Sequence, residues 1–194
     1  MNKTIKADTI EIIEIKKSKF IGYTFYCETV NQANNFLTEL KKEHKKATHV
    51  CFAYVINSNE KASDDGEPQG TAGLPILEVI KKQNLTNVLC VVVRYFGGIK
   101  LGAGGLIRAY SETAAQTVKK SEGCNLCFAT EYTICLNYGD EQILNNLKNN
   151  VNVINVKVDY NQNITINFFG LDGFDENSYL KYNLIKGNSK LVRV

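Results

Sequence analysis

The chain has 194 residues, of which 44% are hydrophobic and 22% are charged, and its formal net charge is +3. This composition is typical of a globular protein and excludes an intrinsically disordered chain, which combines low apolar content with high net charge. The longest apolar run, 88–93, is far shorter than the roughly 20 residues that span a bilayer. The first residues build no apolar signal core, so we expect a cytoplasmic protein without a membrane partner, whose six cysteines stay reduced.

The first half of the chain is predicted to fold as an α+β domain. β-Branched and aromatic runs predict strands at 10–15, 20–26, 48–56 and 87–96. Helices are predicted from Asn31, a plausible N-cap, over 75–82, and from the glycine-rich turn through Val118. Residues 57–73 hold turn formers and acids, which predicts a long loop, and long loops in compact domains are often functional.

The character of the sequence changes near residue 123. Beyond it, the pattern predicts a strand at 131–137, a helix from Asp140, two strands, a helical segment near 175–185 and a last strand at 190–194. The two middle strands are expected at 151–158 and 163–169. The order β-α-β-β-α-β is that of the split βαβ arrangement, with both helices on one side of the sheet and one face open to RNA or to the other domain. We therefore predict two α+β domains, 1–123 and 124–194.

A glycine-rich turn lies between the apolar strand and the following helix. Its glycines are Gly97, Gly98, Gly102, Gly104 and Gly105. Glycine lets backbone amides approach a ligand, and a helix N-terminus leaves N–H groups unpaired. Arg94, Lys100 and Arg108 add positive charge, so the turn is predicted to bind an anion such as phosphate. The alternative is a turn that only packs the helix on the strand.

An acidic loop offers Asp64, Asp65 and Glu67 around Gly66. Hard cations prefer oxygen ligands, so these carboxylates could hold Mg²⁺, but they could equally cap helices or pair with arginines. We predict that they lie within reach of Arg94 and Arg108 and form one polar surface site with the glycine-rich turn. No metal or cofactor is expected.

Four other features of the sequence also lead to expectations. His49 and Cys51 lie two residues apart on one strand, as a nucleophile pair or as a hydrogen-bonded histidine beside a core cysteine. His44, in a lysine-rich helix end, is expected at the surface. Basic residues also cluster at 16–19 and 41–46, where they could contact phosphates or form solvated faces. The adjacent Tyr95 and Phe96 are expected to be exposed and could serve a protein partner.

Four strings of residues resemble the Impact/YigZ family. They are S-K-F-I-G at 18–22, A-T-H-V-C-F-A-Y at 47–54, S-D-D-G-E-P-Q-G-T-A-G at 63–73 and R-Y-F-G-G-I-K-L-G-A-G-G-L-I-R-A-Y at 94–110. The resemblance covers residues 1 to about 120. It implies an N-terminal domain like ribosomal protein S5 domain 2, and a ferredoxin-like C-terminal domain similar to the last domains of elongation factor G. Eukaryotic members carry an additional RWD domain and restrain the amino-acid-starvation kinase pathway, a role that we do not transfer.

These observations favour a non-enzymatic binding or regulatory protein linked to translation. It would contact RNA or a ribosome-associated protein through the glycine-rich anion site. The alternative is an enzyme that acts on a small phosphorylated or nucleotide ligand, because the S5 domain 2 type is shared with small-molecule kinases. Against that alternative, no base and nucleophile can be paired from the sequence.

Overall fold

The apolar run of the first half forms the central strand of a five-stranded antiparallel sheet. The computed structural model describes residues 2–194, which fall into two compact units, 2–125 and 126–194. The sheet of the first unit consists of β2 (Thr9–Ile15), β3 (Ser18–Tyr26), β4 (His49–Ile56), β5 (Asn59–Ser63) and β6 (Val88–Tyr95). Its order is β2-β3-β6-β4-β5, and every neighbouring pair is antiparallel.

Helices cover both faces of this sheet, which explains why β6 is apolar along its whole length. Leu89, Val91 and Val93 pack in one core with helix α1 (Val30–Glu43). The alternate residues of β6 pack in a second core with the other two helices, α2 (Gly73–Lys82) and α3 (Ala103–Lys120). A strand buried on both sides cannot show the alternation of a half-exposed strand.

Two local predictions in this unit are wrong. Helix α1 is capped by Thr29 and not by Asn31. The Thr29 side chain accepts a hydrogen bond from the Gln32 N–H, and the Gln32 side-chain oxygen accepts one from the Thr29 N–H. This capping box satisfies two helix-end donors at once. The predicted loop at 57–73 contains β5, because Asn57 takes a positive φ of 52° and turns the chain back along β4.

The second unit has the predicted β-α-β-β-α-β order. Its elements are β7 (Gly123–Leu136), α4 (Glu141–Lys148), β8 (Val153–Tyr160), β9 (Ile164–Gly170), a 3-10 helix (Glu176–Tyr182) and β10 (Ile185–Arg193). The sheet order β8-β9-β7-β10 with antiparallel pairs is ferredoxin-like and confirms the α+β class. The second helical segment is a 3-10 helix because it is short and buries none of its side chains. A further short strand, β1 (Asn2–Ile5), belongs to the first unit.

Among the described residues, one face of this second sheet is packed into a hydrophobic core. Ile134, Phe168 and Leu147 are buried together on that face. Their strand neighbours on the other face, such as Thr133 and Asn167, remain partly exposed and hydrogen-bond to each other at 2.7 Å.

The strands β7 and β10 both begin earlier than the sequence pattern predicted. Within residues 2–194, no helix is long and apolar enough to cross a membrane.

Candidate functional site

A cavity of about 440 Å³ lies between the acidic loop and the glycine-rich turn of the first unit. Its polar and turn residues are His49, Glu67, Arg94, Lys100 and Gly102. Pro68, Phe96, Leu101 and Leu106 add apolar surface. Strand β4 supplies His49 and strand β6 supplies Arg94, so the rigid sheet positions one side of the cavity.

Glu67 and Arg94 form a buried ion pair. Glu67 Oε1 accepts from Arg94 Nη1 at 2.6 Å and from the Tyr110 hydroxyl at 2.8 Å. The side chains of Glu67 and Arg94 are only 3% and 6% exposed. The Arg94 guanidinium also lies 5.4 Å from the ring centroids of Phe20 and Phe96. Arg94 therefore does not offer free positive charge at the surface, because its charge is neutralised within the protein.

The two aspartates of the acidic loop are used to shape that loop. Asp64 accepts hydrogen bonds from the backbone N–H groups of Gly70, Ala72 and Gly73, at the start of α2. Desolvation raises the pKa of Asp64, but these three bonds outweigh it and hold the pKa below its ordinary value. Asp65 accepts from the Val50 N–H and pairs with Lys41. The alternative of helix capping thus describes Asp64, and among the described residues no three acidic, histidine or cysteine side chains could hold a metal.

The glycine-rich turn has one glycine that close packing requires and two with positive φ. A Cβ on Gly97 would lie 1.9 Å from the Lys17 carbonyl oxygen. Gly98 and Gly102 have φ of 84° and 72°, which favours glycine. Gly102 is the N-cap of α3 and provides no side chain to the first-turn amides. Lys100 is exposed beside this helix start. The turn therefore leaves backbone donors and a mobile cation at the edge of the cavity.

The structure does not assemble all predicted residues into one site. Gly104 and Gly105 lie in the first turn of α3, and Gly66 is in the acidic loop next to the His49 ring. Arg108 makes no ion pair with the acidic loop and lines a different, smaller cavity together with Lys16. The structure thus brings Glu67, Arg94 and the turn around one cavity, but as a buried pair and not as a surface site. Asp64 and Asp65 bond elsewhere, and Arg108 on α3 lines another cavity.

His49 lies in the cavity with an oriented ring. His49 Nδ1 is 2.9 Å from the Asp65 carbonyl oxygen, and Nε2 is 3.8 Å from Glu67 Oε2. The adjacent Cys51 is fully buried, and its sulfur contacts the Asp64 carbonyl oxygen and the Tyr110 hydroxyl. Burial raises the pKa of the Cys51 thiol to about 12, so it is not a nucleophile at neutral pH. The sequence could not pair His49 with an acid, because Glu67 is distant along the chain and meets it only through the fold.

The expectation that His44 lies at the surface is wrong. Its ring is 9% exposed and is held between the hydroxyls of Tyr23, 2.7 Å from Nε2, and Tyr95, 2.8 Å from Nδ1. Burial raises the pKa of Tyr23 to about 12. Tyr95 is consequently a partly buried structural residue, whereas its neighbour Phe96 is 46% exposed.

Comparisons with known proteins agree with this architecture. The Impact N-terminal domain family matches residues 16–118, more than half of the chain. IMPACT family member YvyE of Bacillus subtilis is 52% identical over 58% of this chain and 54% of its own length, so the match spans about half of that relative. IMPACT family member YigZ of Escherichia coli is 37% identical over 69% of each chain. A crystal structure of a hypothetical protein, 28% identical, covers 100% of this chain and 98% of its own with a TM-score of 0.64. Motifs, fold and sequence identity together place the chain in the IMPACT family.

Proposed function

We propose that this protein is a non-enzymatic binding protein linked to translation, which contacts RNA or a ribosome-associated protein through an anion site at the glycine-rich turn. The observation that carries the proposal is the exposed Lys100 beside a helix start that no side chain caps. The link to translation comes from the family resemblance, which implies one domain like ribosomal protein S5 domain 2 and one similar to the last domains of elongation factor G.

The electrostatics of the cavity favour an anion at its edge. Glu67 neutralises the charge of Arg94. Among the described residues that line the cavity, Lys100 is therefore the lysine or arginine whose charge remains available to a ligand. The first amides of α3 add partial positive charge, worth roughly 0.3–1 kcal/mol to an exposed anion. Lysine can follow a phosphate as a flexible point charge, which suits a repeating phosphate backbone.

The test is the salt dependence of RNA binding by the full chain. We expect a single-stranded RNA 12-mer to bind at 50 mM salt and to weaken steeply at 200 mM, because phosphate contacts release counterions. Lys100→Ala should weaken binding by a similar factor for all RNA sequences. It should also reduce the slope of log affinity against log salt concentration by about 1. The matched control is Lys82→Ala, an exposed lysine at the end of α2. Equal binding by wild type and Lys100→Ala, or no binding to either, would overturn the proposed anion site.

A second candidate is an enzyme that acts on a small phosphorylated ligand. The cavity volume of about 440 Å³ lies within the usual range for small-molecule sites, and the oriented His49 could act as a base. The high pKa of Cys51 removes the neighbouring nucleophile. Phosphate release from nucleotides or sugar phosphates that disappears in His49→Ala would favour this candidate. Absence of turnover with such a panel would favour the binding role.

A further inference from the structure

Two hydrogen-bond acceptors, one on His49 and one on Glu67, lie close together in the lining of the cavity. The Asp65 carbonyl oxygen can only accept, so His49 Nδ1, 2.9 Å away, must carry its proton. In the neutral ring this leaves Nε2 as an acceptor. Opposite it, at 3.8 Å, lies Glu67 Oε2. The other carboxylate oxygen, Oε1, already accepts from Arg94 and Tyr110. No hydrogen bond from another described residue reaches either facing atom.

The separation of these atoms selects one kind of partner. At 3.8 Å the two acceptors are too far apart for a direct hydrogen bond, but one atom roughly 2.7–3.2 Å from each fits between them. Water can bridge the two atoms with its two hydrogens. Of the groups that a ligand offers in its place, a hydroxyl carries one hydrogen and can serve only one acceptor, whereas an amino nitrogen carries two. Both side chains are mostly buried, 18% exposed for His49 and 3% for Glu67, but neither facing atom is among the fully buried unpartnered atoms, so both can be reached from the cavity. The pair therefore matches an amino group.

The rest of the cavity adds a flat apolar surface and an anion site. The Phe96 ring is 46% exposed, and the Arg94 guanidinium 5.4 Å from its centroid holds it in place. Leu101 and Leu106 extend the apolar lining. Aromatic side chains stack well on nucleobases, because every base has a flat π surface. At the cavity edge, Lys100 and the start of α3 offer positive charge.

We propose that the cavity binds a nucleotide unit whose base carries an exocyclic amino group, as adenine and cytosine do. The amino group donates to His49 Nε2 and Glu67 Oε2, the base packs on Phe96, and the phosphate lies at Lys100. This inference rests on the proposed anion site and adds the identity of the ligand. A free nucleotide and an unpaired base in RNA present the same chemistry.

The experiment uses nucleotide pairs that differ in the amino group. Wild-type protein is titrated by calorimetry with AMP against IMP and with CMP against UMP. We expect roughly tenfold tighter binding of AMP and CMP, since a paired set of base contacts discriminates by about that factor. In His49→Phe the preference should vanish while the dependence on Lys100 remains. Oligo-A and oligo-U RNA 12-mers, titrated in parallel, show whether RNA or the free nucleotide is the better source.

A spectroscopic measurement covers the case in which His49→Phe does not fold. The ¹⁵N shifts of the His49 ring in wild-type protein should show a proton on Nδ1 and none on Nε2, and AMP but not IMP should move the Nε2 signal. A proton on Nε2 alone, or equal affinity for both members of each pair, overturns the inference. If RNA binding still depends on Lys100, the proposed function stands without it. The proposed function itself is overturned by loss of that dependence or by the absence of RNA binding.

Discussion

Replacing Glu67 by glutamine should destabilise the first unit strongly, because it leaves the Arg94 charge buried without a counter-ion. Both side chains are almost completely buried, at 3% and 6% exposure. Removal of one partner from such a pair costs about 3–5 kcal/mol. For a chain of this size, a change of 1 kcal/mol moves the melting temperature by roughly 2–4 °C, so we expect a fall of roughly 6–20 °C.

Two further variants separate the charge from the hydrogen bonds. Tyr110→Phe removes the 2.8 Å bond to Glu67 Oε1, together with the 3.4 Å contact of the Cys51 sulfur, and keeps the ion pair. It should cost about 1.5–3 kcal/mol, the range for a bond to a charged group. The double variant Glu67→Gln with Arg94→Met removes the uncompensated charge and should recover part of the loss.

The assay is urea unfolding followed by circular dichroism, with Glu60→Gln as the matched control. Glu60, on β5 of the same sheet, forms an exposed ion pair with Lys81 of α2, and such pairs contribute at most about 1 kcal/mol. The reasoning is refuted if Glu67→Gln costs no more than Glu60→Gln, or if the double variant is less stable than either single one.

Three other predictions follow from the same unit. Folding lowers the pKa of Asp64, so its carboxylate contributes stability that is fully present above the unfolded pKa of about 3.9 and is lost as the pH falls through the lower folded pKa. Acid titration should therefore destabilise wild type more than Asp64→Asn. Parallel stability curves for the two proteins would contradict the capping role. Burial raises the pKa of the Cys51 thiol to about 12, so Cys51 should not react with iodoacetamide at pH 8, whereas the partly exposed Cys135 should. Peptide mass spectrometry measures both rates, and equal rates of modification would contradict the burial of Cys51. Gly97→Ala should lower the melting temperature, because the added Cβ would overlap the Lys17 carbonyl. In Gly104→Ala the nearest atom to the added Cβ is Arg108 Nη1 at 3.8 Å, so this variant should stabilise α3 by about 0.5–1 kcal/mol. A greater fall in melting temperature for Gly104→Ala than for Gly97→Ala would contradict this prediction.

Much of the fold could be predicted from local patterns in the sequence. The apolar run of β6 and the glycine-rich turn before α3 were recognisable because strand burial and positive φ act on a few adjacent residues. The β-α-β-β-α-β order of the second unit followed from the same periodicities. The hairpin of β4 and β5 escaped prediction because β5 is polar and partly exposed, so its pairing with β4 leaves no hydrophobic signal.

The roles of the charged residues were decided only by the tertiary structure. Asp64, Asp65 and Glu67 are chemically alike and nearly adjacent, yet one caps α2, one holds the start of β4, and one neutralises Arg94. Which role each carboxylate takes depends on donors that lie up to 43 residues away along the chain and become neighbours only when the chain folds. Electrostatic interactions depend on distance and burial, and a sequence specifies neither until the chain has folded.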